Sequence, residues 1–165
     1  MDVWTFLANA QPNGFLAARQ DGRLVGYAIF VASLSGIQAR AVRSGEVFKW
    51  LLHVLTGRYR FKGGALLRTL GNKVKFLFTG QKFRTKGDAQ LLNIAVDPSV
   101  QGKGIAKKLV AAGLSQMRAA RVLEVRLEVR PWNVSAVRVY KATGWREVGR
   151  TRDLEGEWIV MVANP

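Results

Sequence analysis

Leu91-Leu92-Asn93-Ile94-Ala95-Val96-Asp97-Pro98-Ser99-Val100-Gln101-Gly102-Lys103-Gly104-Ile105-Ala106-Lys107-Lys108-Leu109-Val110 reads as an apolar strand, a tight turn at Asp97-Pro98, a glycine-rich loop and the opening of a helix. Unpaired backbone N–H groups and the positive end of the helix dipole meet at such a loop, and both favour phosphate. Gly102 and Gly104 lack a Cβ, so the backbone there can take φ > 0 and approach a ligand closely. Lys103, Lys107 and Lys108 add positive charge around the same turn. The spacing is not G-x-G-x-x-G, which disfavours a dinucleotide fold, and no Gly-Lys-Ser/Thr follows, so it is not a P-loop. From the residues alone the loop is either a pyrophosphate cradle or a bare structural turn.

Composition narrows the class. At 165 residues the chain suits a single domain with one core, and 48% hydrophobic residues with mean hydropathy near zero exclude general disorder. No apolar run is long enough for a membrane span, and Met1-Asp2-Val3-Trp4 lacks the basic start of a signal peptide. A cytoplasmic location is the expectation. Without cysteine there is no thiolate nucleophile or disulfide, and with His53 as the only histidine a His-based metal cluster or a Ser-His-Asp triad is disfavoured. A net charge of +15 implies an acidic partner: a phosphate-bearing cofactor, RNA, the ribosome or an anionic membrane surface.

Outward from the opening stretch, Gly14–Arg19 and Leu24–Leu34 flank Gln20-Asp21-Gly22-Arg23, where Asp-Gly between apolar runs predicts a β-hairpin. From about 35 to 87 lies a basic insert. In it Glu46–Leu55 has helical periodicity, and Arg58, Arg60, Lys62, Lys73 and Lys75 alternate with Tyr59, Phe61, Phe76 and Phe78. That alternation suits a polyanion such as RNA or lipid headgroups, or else a solvated face over an apolar underside. Ala89–Val96 is expected as a strand and Gly104–Ala120 as a helix with Leu109, Val110, Gly113, Leu114 and Met117 on one face. Val122–Val129 is expected as a strand with Leu123, Val125, Leu127 and Val129 inward. Asn133–Thr143 follows as a helix capped by Asn133 and ended by Gly144, and Trp145–Thr151 and Glu157–Val162 are closing strands. Strand–helix–strand over this length implies a parallel pair. The chain shows no internal repeat or linker.

Gln101-Gly102-Lys103-Gly104-Ile105-Ala106 resembles the Gln/Arg-x-x-Gly-x-Gly/Ala signature of the GNAT superfamily of acetyl-CoA-dependent N-acetyltransferases. The run Leu91–Gly104 is similar to that of bacterial enzymes that acetylate the N-terminus of a ribosomal protein. A second stretch, Asn133 to Trp145, resembles the signature Asn-x-x-Ala-x-x-x-Tyr-x-x-x-Gly-Phe/Trp. Asn133, Ala136 and Tyr140 stand three and four apart, hence on one helix face. The resemblance implies an α/β acetyltransferase fold, a mixed twisted sheet with helices on both faces, and acetyl-CoA as co-substrate without a metal. It implies that Ile94, Ala95 and Val96 present backbone groups to the acetyl carbonyl and pantetheine. Gln101, Gly102, Lys103, Gly104, Ile105 and Ala106 then hold the pyrophosphate. Asn133, Ala136 and Tyr140 lie along the pantetheine arm, and Tyr140 protonates the departing thiolate.

An acceptor amine is protonated in neutral water and must lose a proton before it attacks a thioester. Many of these enzymes place a glutamate where this chain has Gln90, which cannot serve. The ribosomal-protein enzymes carry it instead in a Leu-Glu-Val-Arg sequence twelve residues before the tyrosine, a spacing that Leu127-Glu128-Val129-Arg130 and Tyr140 match. The competing reading puts Glu128 in an exposed stripe with Glu124, Arg126 and Arg130. The acetyl acceptor is expected to be a primary amine, on a protein N-terminus or a small molecule. The rival is a basic nucleic-acid- or membrane-binding module on an inactive acetyltransferase scaffold.

Overall fold

A computed structural model of the chain describes residues 12–45, 86–153 and 155–165. The hairpin is present: β1 (Phe15–Gln20) and β2 (Arg23–Val31) pair antiparallel, with Gln20 opposite Arg23. The turn is tight because Asp21 and Gly22 both take positive φ, 50° and 77°. The second strand stops at Val31, short of the expected Leu34, because Ser33 caps a helix there. Its side chain accepts the Gly36 N–H at 3.0 Å and opens α1 (Leu34–Arg43). The sequence ends the strand at Leu34 and predicts no element from about 35 to 45, where the structure has most of this helix. Asp88 fastens the new helix to the next strand by accepting the Ser35 N–H at 2.6 Å. The expected helix Glu46–Leu55 and the alternation of basic and aromatic residues after it lie outside the described residues.

Beyond Asp88 the order is β3 (Ala89–Val96), α2 (Ile105–Ala119), β4 (Val125–Val129), α3 (Val134–Ala142), β5 (Arg146–Asp153) and β6 (Gly156–Ala163). The sheet runs β1-β2-β3-β4-β6-β5, antiparallel except for the β3–β4 pair. On one face Ala28 and Phe30 of β2, Leu91 of β3, Leu127 and Val129 of β4 and Met161 of β6 join Leu109, Val110 and Met117 of α2 and Tyr140 of α3 in a single apolar cluster. On the other face Ile29, Val31, Val160 and Val162 are also buried. The helix face read from the sequence is the packed one. Gly113 lies within it because the ring of Phe30 occupies the space a Cβ would need. Among the described residues no helix is long and apolar enough to cross a membrane.

One strand boundary departs from expectation. Leu123 does not point inward; it is 68% exposed, and β4 begins only at Val125. The cause is the end of α2, where Arg121 takes φ 57° and Val122 N–H reaches back to the Met117 carbonyl at 3.0 Å. This Schellman-type closure uses up the residues that strict alternation had given to the strand. At α3 the sequence reading holds. Asn133 caps it through the Ala136 N–H at 3.2 Å, and Gly144, at φ 87°, ends it.

Candidate active site

The parallel pair is short. Ala89 faces Val125 and Gln90 faces Arg126, and no further residues of β3 and β4 are in register. From Leu91 onward β3 keeps its bonds to β2 but has no strand on its other side, so Asn93, Ile94, Ala95 and Val96 present an open backbone edge among the described residues. A bulge accompanies the parting. Register against β2 jumps from Ile29↔Asn93 to Phe30↔Leu91, leaving Leu92 as the extra residue. The sequence offered no signal for this bulge beyond the polar Asn93 in an apolar run.

Where β3 ends, side chains shape the loop. Asp97 accepts the Ser99 N–H at 2.9 Å and the Ser99 hydroxyl at 2.7 Å. These bonds hold its carboxyl below the usual range. Gln101 Nε2 donates to the Val96 carbonyl at 3.1 Å, tying the loop back to the strand. Gly102 and Gly104 both take left-handed φ, 80° and 78°, and a Cβ on either would meet open space. Gly104 caps α2 without a side-chain bond, and the first amide of the helix with a backbone acceptor is Lys108, bonded to the Gly104 carbonyl at 3.0 Å. The N–H groups from Gly102 through Lys107 therefore have no acceptor among the described residues. Any helix start leaves its first amides free; here they adjoin two left-handed glycines and the open β3 edge, an arrangement that suits the oxygens of a pyrophosphate.

The second motif supplies Tyr140, 6% exposed, with its ring 5.9 Å from that of Trp145. Burial pushes its phenol up to about 12, so the hydroxyl keeps its proton at neutral pH and stands ready as a donor. Asn133 differs in part from expectation. Its Oδ1 is taken by the Ala136 N–H and the Ser135 hydroxyl, so only the amide nitrogen is left to offer a ligand. Ala136 is half-buried on the same helix face.

Glu128 lies two residues beyond the last β3–β4 pair, on the sheet face opposite Leu127 and Val129. The exposed stripe weighed for it is not there. Glu124 and Arg126 are buried, at 6% and 9% exposure, because a β-sheet covered on both faces leaves neither set of alternating side chains in water. Glu124 accepts the Lys86 N–H at 3.0 Å and the Arg146 guanidinium at 3.1 Å. Arg126 instead donates to Glu128 Oε1. Arg130 belongs to a different group. Its guanidinium stacks 3.6 Å from the Trp158 ring centroid and 5.2 Å from that of Trp132, and it pairs with Asp153 at 3.3 Å and Glu155 at 3.0 Å. Burial raises the Asp153 carboxyl, but bonds from Trp158 Nε1, Glu155 N–H and Arg130 outweigh it and hold the group below the usual range. This pins the β5–β6 hairpin to the end of β4.

A sheet opened between two parallel strands, beside a helix N-terminus bare of side-chain caps, has the shape and the free donors that an elongated, phosphate-bearing molecule requires. The acetyltransferase (GNAT) family matches residues 1–145, and the chain belongs to it. The alanine N-acetyltransferase of ribosomal protein bS18 from Haemophilus ducreyi is 39% identical over 61 residues, 37% of this chain and 42% of the relative. A mycothiol acetyltransferase of Acidothermus cellulolyticus is 26% identical over 138 residues, 84% of this chain and 31% of that one. The chain thus spans less than half the length of either relative. The solved structure of a ribosomal-protein-alanine N-acetyltransferase from Brucella melitensis superposes with a TM-score of 0.58 at 16% identity, covering 98% of this chain and 76% of that one. At that identity the likeness is one of fold. Acetyl-CoA is the acetyl donor of the family, and the open β3 edge together with the Gly102–Lys107 amides fits its pantetheine and pyrophosphate.

Proposed function

We propose that the chain transfers an acetyl group from acetyl-CoA to a primary amine, and that the amine is a protein N-terminus. The observation that carries the first part is the juxtaposition of the open β3 edge with the unpaired amide array of the loop that follows it. The second part rests on the bS18 relative and on Leu127-Glu128-Val129-Arg130 standing twelve residues ahead of Tyr140.

In this reading the cofactor supplies an acetyl group activated as a thioester. Gln101, Gly102, Lys103, Gly104, Ile105 and Ala106 hold its pyrophosphate, and the backbone of Ile94, Ala95 and Val96 aligns the arm along the gap. Glu128 takes a proton from the acceptor ammonium, freeing the nitrogen lone pair. Tyr140 hydrogen-bonds the sulfur as the C–S bond breaks. Its phenol keeps its proton until the sulfur gains charge, gives that proton to the sulfur as the C–S bond breaks and regains one from the attacking nitrogen. Of the two protons the ammonium sheds, one leaves through Glu128 and one makes good what the sulfur gains. No covalent enzyme intermediate is required.

The test is incubation with acetyl-CoA and a panel of peptides bearing free N-termini, alanine among them, alongside polyamines and aminoglycosides. Mass spectrometry of the products and release of free thiol are followed together. Acetylation of peptide N-termini is the expected result. Tight binding of acetyl-CoA with no acetylated amine in the panel or in a cell lysate would sink the proposal and favour a binding module. The polyanion partner expected from the basic insert rests on residues outside those described and adds nothing to this reading.

A further inference from the structure

Arg126 is an unusual residue to find in the middle strand of a sheet. It is 9% exposed, and its Nε–H is buried with no acceptor. A buried guanidinium costs more than any apolar side chain of its size unless it is paired, and replacing such a pair by apolar residues is often neutral or better. Packing alone therefore does not explain an arginine here. Its partner is Glu128, two residues on along the same strand and on the same face, through Nη2 to Oε1.

The other charged groups of this face are committed elsewhere. Glu124 accepts from Lys86 and Arg146, and Arg130 pairs with Asp153 and Glu155. The flanking strands bring only neutral residues opposite the pair: Gln90 and Val162 beside Arg126, and Val160 beside Glu128. The two ends of the ion pair are unequal. Arg126 is shut in, whereas the Glu128 side chain is 30% exposed and its second oxygen, Oε2, has no partner among the described residues. One carboxylate oxygen is held by Arg126 and the other is unbonded among the described residues, at the level where β3 and β4 have already parted.

We infer that Arg126 is a positioning residue for proton transfer by Glu128. It fixes Oε1 so that Oε2 faces the incoming amine. In the step itself an N–H bond of the ammonium breaks, an O–H bond forms at Oε2, and the positive charge leaves the nitrogen. This inference rests on the acetyl-transfer reading and on Glu128 as its base.

The experiment uses the full chain. Acetyl-CoA affinity is measured by calorimetry, and kcat and KM are measured with a peptide whose N-terminus is free. Arg126→Met is expected to leave acetyl-CoA affinity within about twofold and to lower kcat by about tenfold or more. KM for the peptide should change much less than kcat, because the loss falls on the proton-transfer step. Arg126→Lys keeps a charged donor without the planar fork, so kcat should recover in part. An Arg126→Met protein that binds acetyl-CoA with unchanged kcat overturns the inference, and so does one whose loss falls on KM instead of kcat. If Arg126→Met does not fold, Arg126→Gln against Arg126→Lys decides: kcat must fall further in the first than in the second, and equal values overturn it. A wild type that binds acetyl-CoA but acetylates no amine overturns the acetyl-transfer reading itself. An active wild type indifferent to Arg126 overturns this inference alone.

Discussion

Gly113→Ala sets two effects of known size against each other. Alanine is the better helix former, so in an exposed helix interior the change would stabilise by about 1 kcal/mol. Here α2 packs on β2, and a Cβ at this position would lie 2.0 Å from Cε2 of Phe30 and 2.4 Å from Cδ2 and Cζ. Carbon atoms in contact rest at about 3.5–4.0 Å, so helix and ring must separate by roughly 1.5 Å. Phe30 is fully buried in the core. Overpacking of this kind costs typically about 1–3 kcal/mol, occasionally more, and the overlap here puts it at the upper end. The expected net loss is about 1–2 kcal/mol, or roughly 2–8 °C in Tm for a domain of this size. Urea unfolding measures it. The site offers a second readout, because Gly113 stands nine residues into the helix that Gly104 opens, and lifting α2 disturbs the amide array. Acetyl-CoA should therefore bind more weakly as well. Phe30→Leu in the Gly113→Ala background relieves the clash, so the pair should be coupled favourably in a double-mutant cycle. An alanine variant as stable as wild type, or more so, would refute the packing argument.

Gly104→Glu should abolish acetyl-CoA binding in calorimetry while the far-UV spectrum persists, since φ 78° there costs only about 1–2 kcal/mol of strain but the carboxylate enters the space left for phosphate; an unchanged dissociation constant would remove the cradle. Tyr140→Phe should keep acetyl-CoA affinity and lower kcat by about a hundredfold, and a loss under about threefold with chemistry rate-limiting would reduce Tyr140 to packing. The same phenol predicts alkaline behaviour: because its folded-state pKa is raised from 10 to about 12, its contribution to stability is fully present below pH 10 and is lost as pH climbs through 12. Ultraviolet titration should show a tyrosine phase about two units late in wild type, and that phase should be missing in Tyr140→Phe. Arg121→Gly should stabilise by about 0.5–1 kcal/mol, because a residue at φ 57° is relieved of left-handed strain at the α2 terminus; a lower urea midpoint would contradict this.

Much of this protein is local, and what is local was legible in the residues. Asp21-Gly22 made a hairpin because that dipeptide tolerates positive φ, and Asn133 and Gly144 bounded α3 because capping needs only neighbours in the chain. Gly102 and Gly104 marked a loop needing left-handed backbone, and the spacing from Asn133 to Tyr140 put the second motif on one helix face. Misreadings arose where an element's fate depended on something distant. Leu123 kept the apolar alternation of a strand, yet the closure of α2 claimed its backbone and left it in water. The competing reading of an exposed stripe placed Glu124 and Arg126 in water because charge usually is, and only a sheet buried on both faces turns them into partnered, enclosed groups. The bulge at Leu92 and the early parting of β3 from β4 leave almost no trace in composition, because register belongs to a pair of strands and not to either one. Turns, caps and motif spacing are set within a few residues, so the chain by itself determined them. The early parting of β3 from β4, and the burial of Glu124 and Arg126, depend on how strands far apart in sequence meet, and only the tertiary structure could decide them.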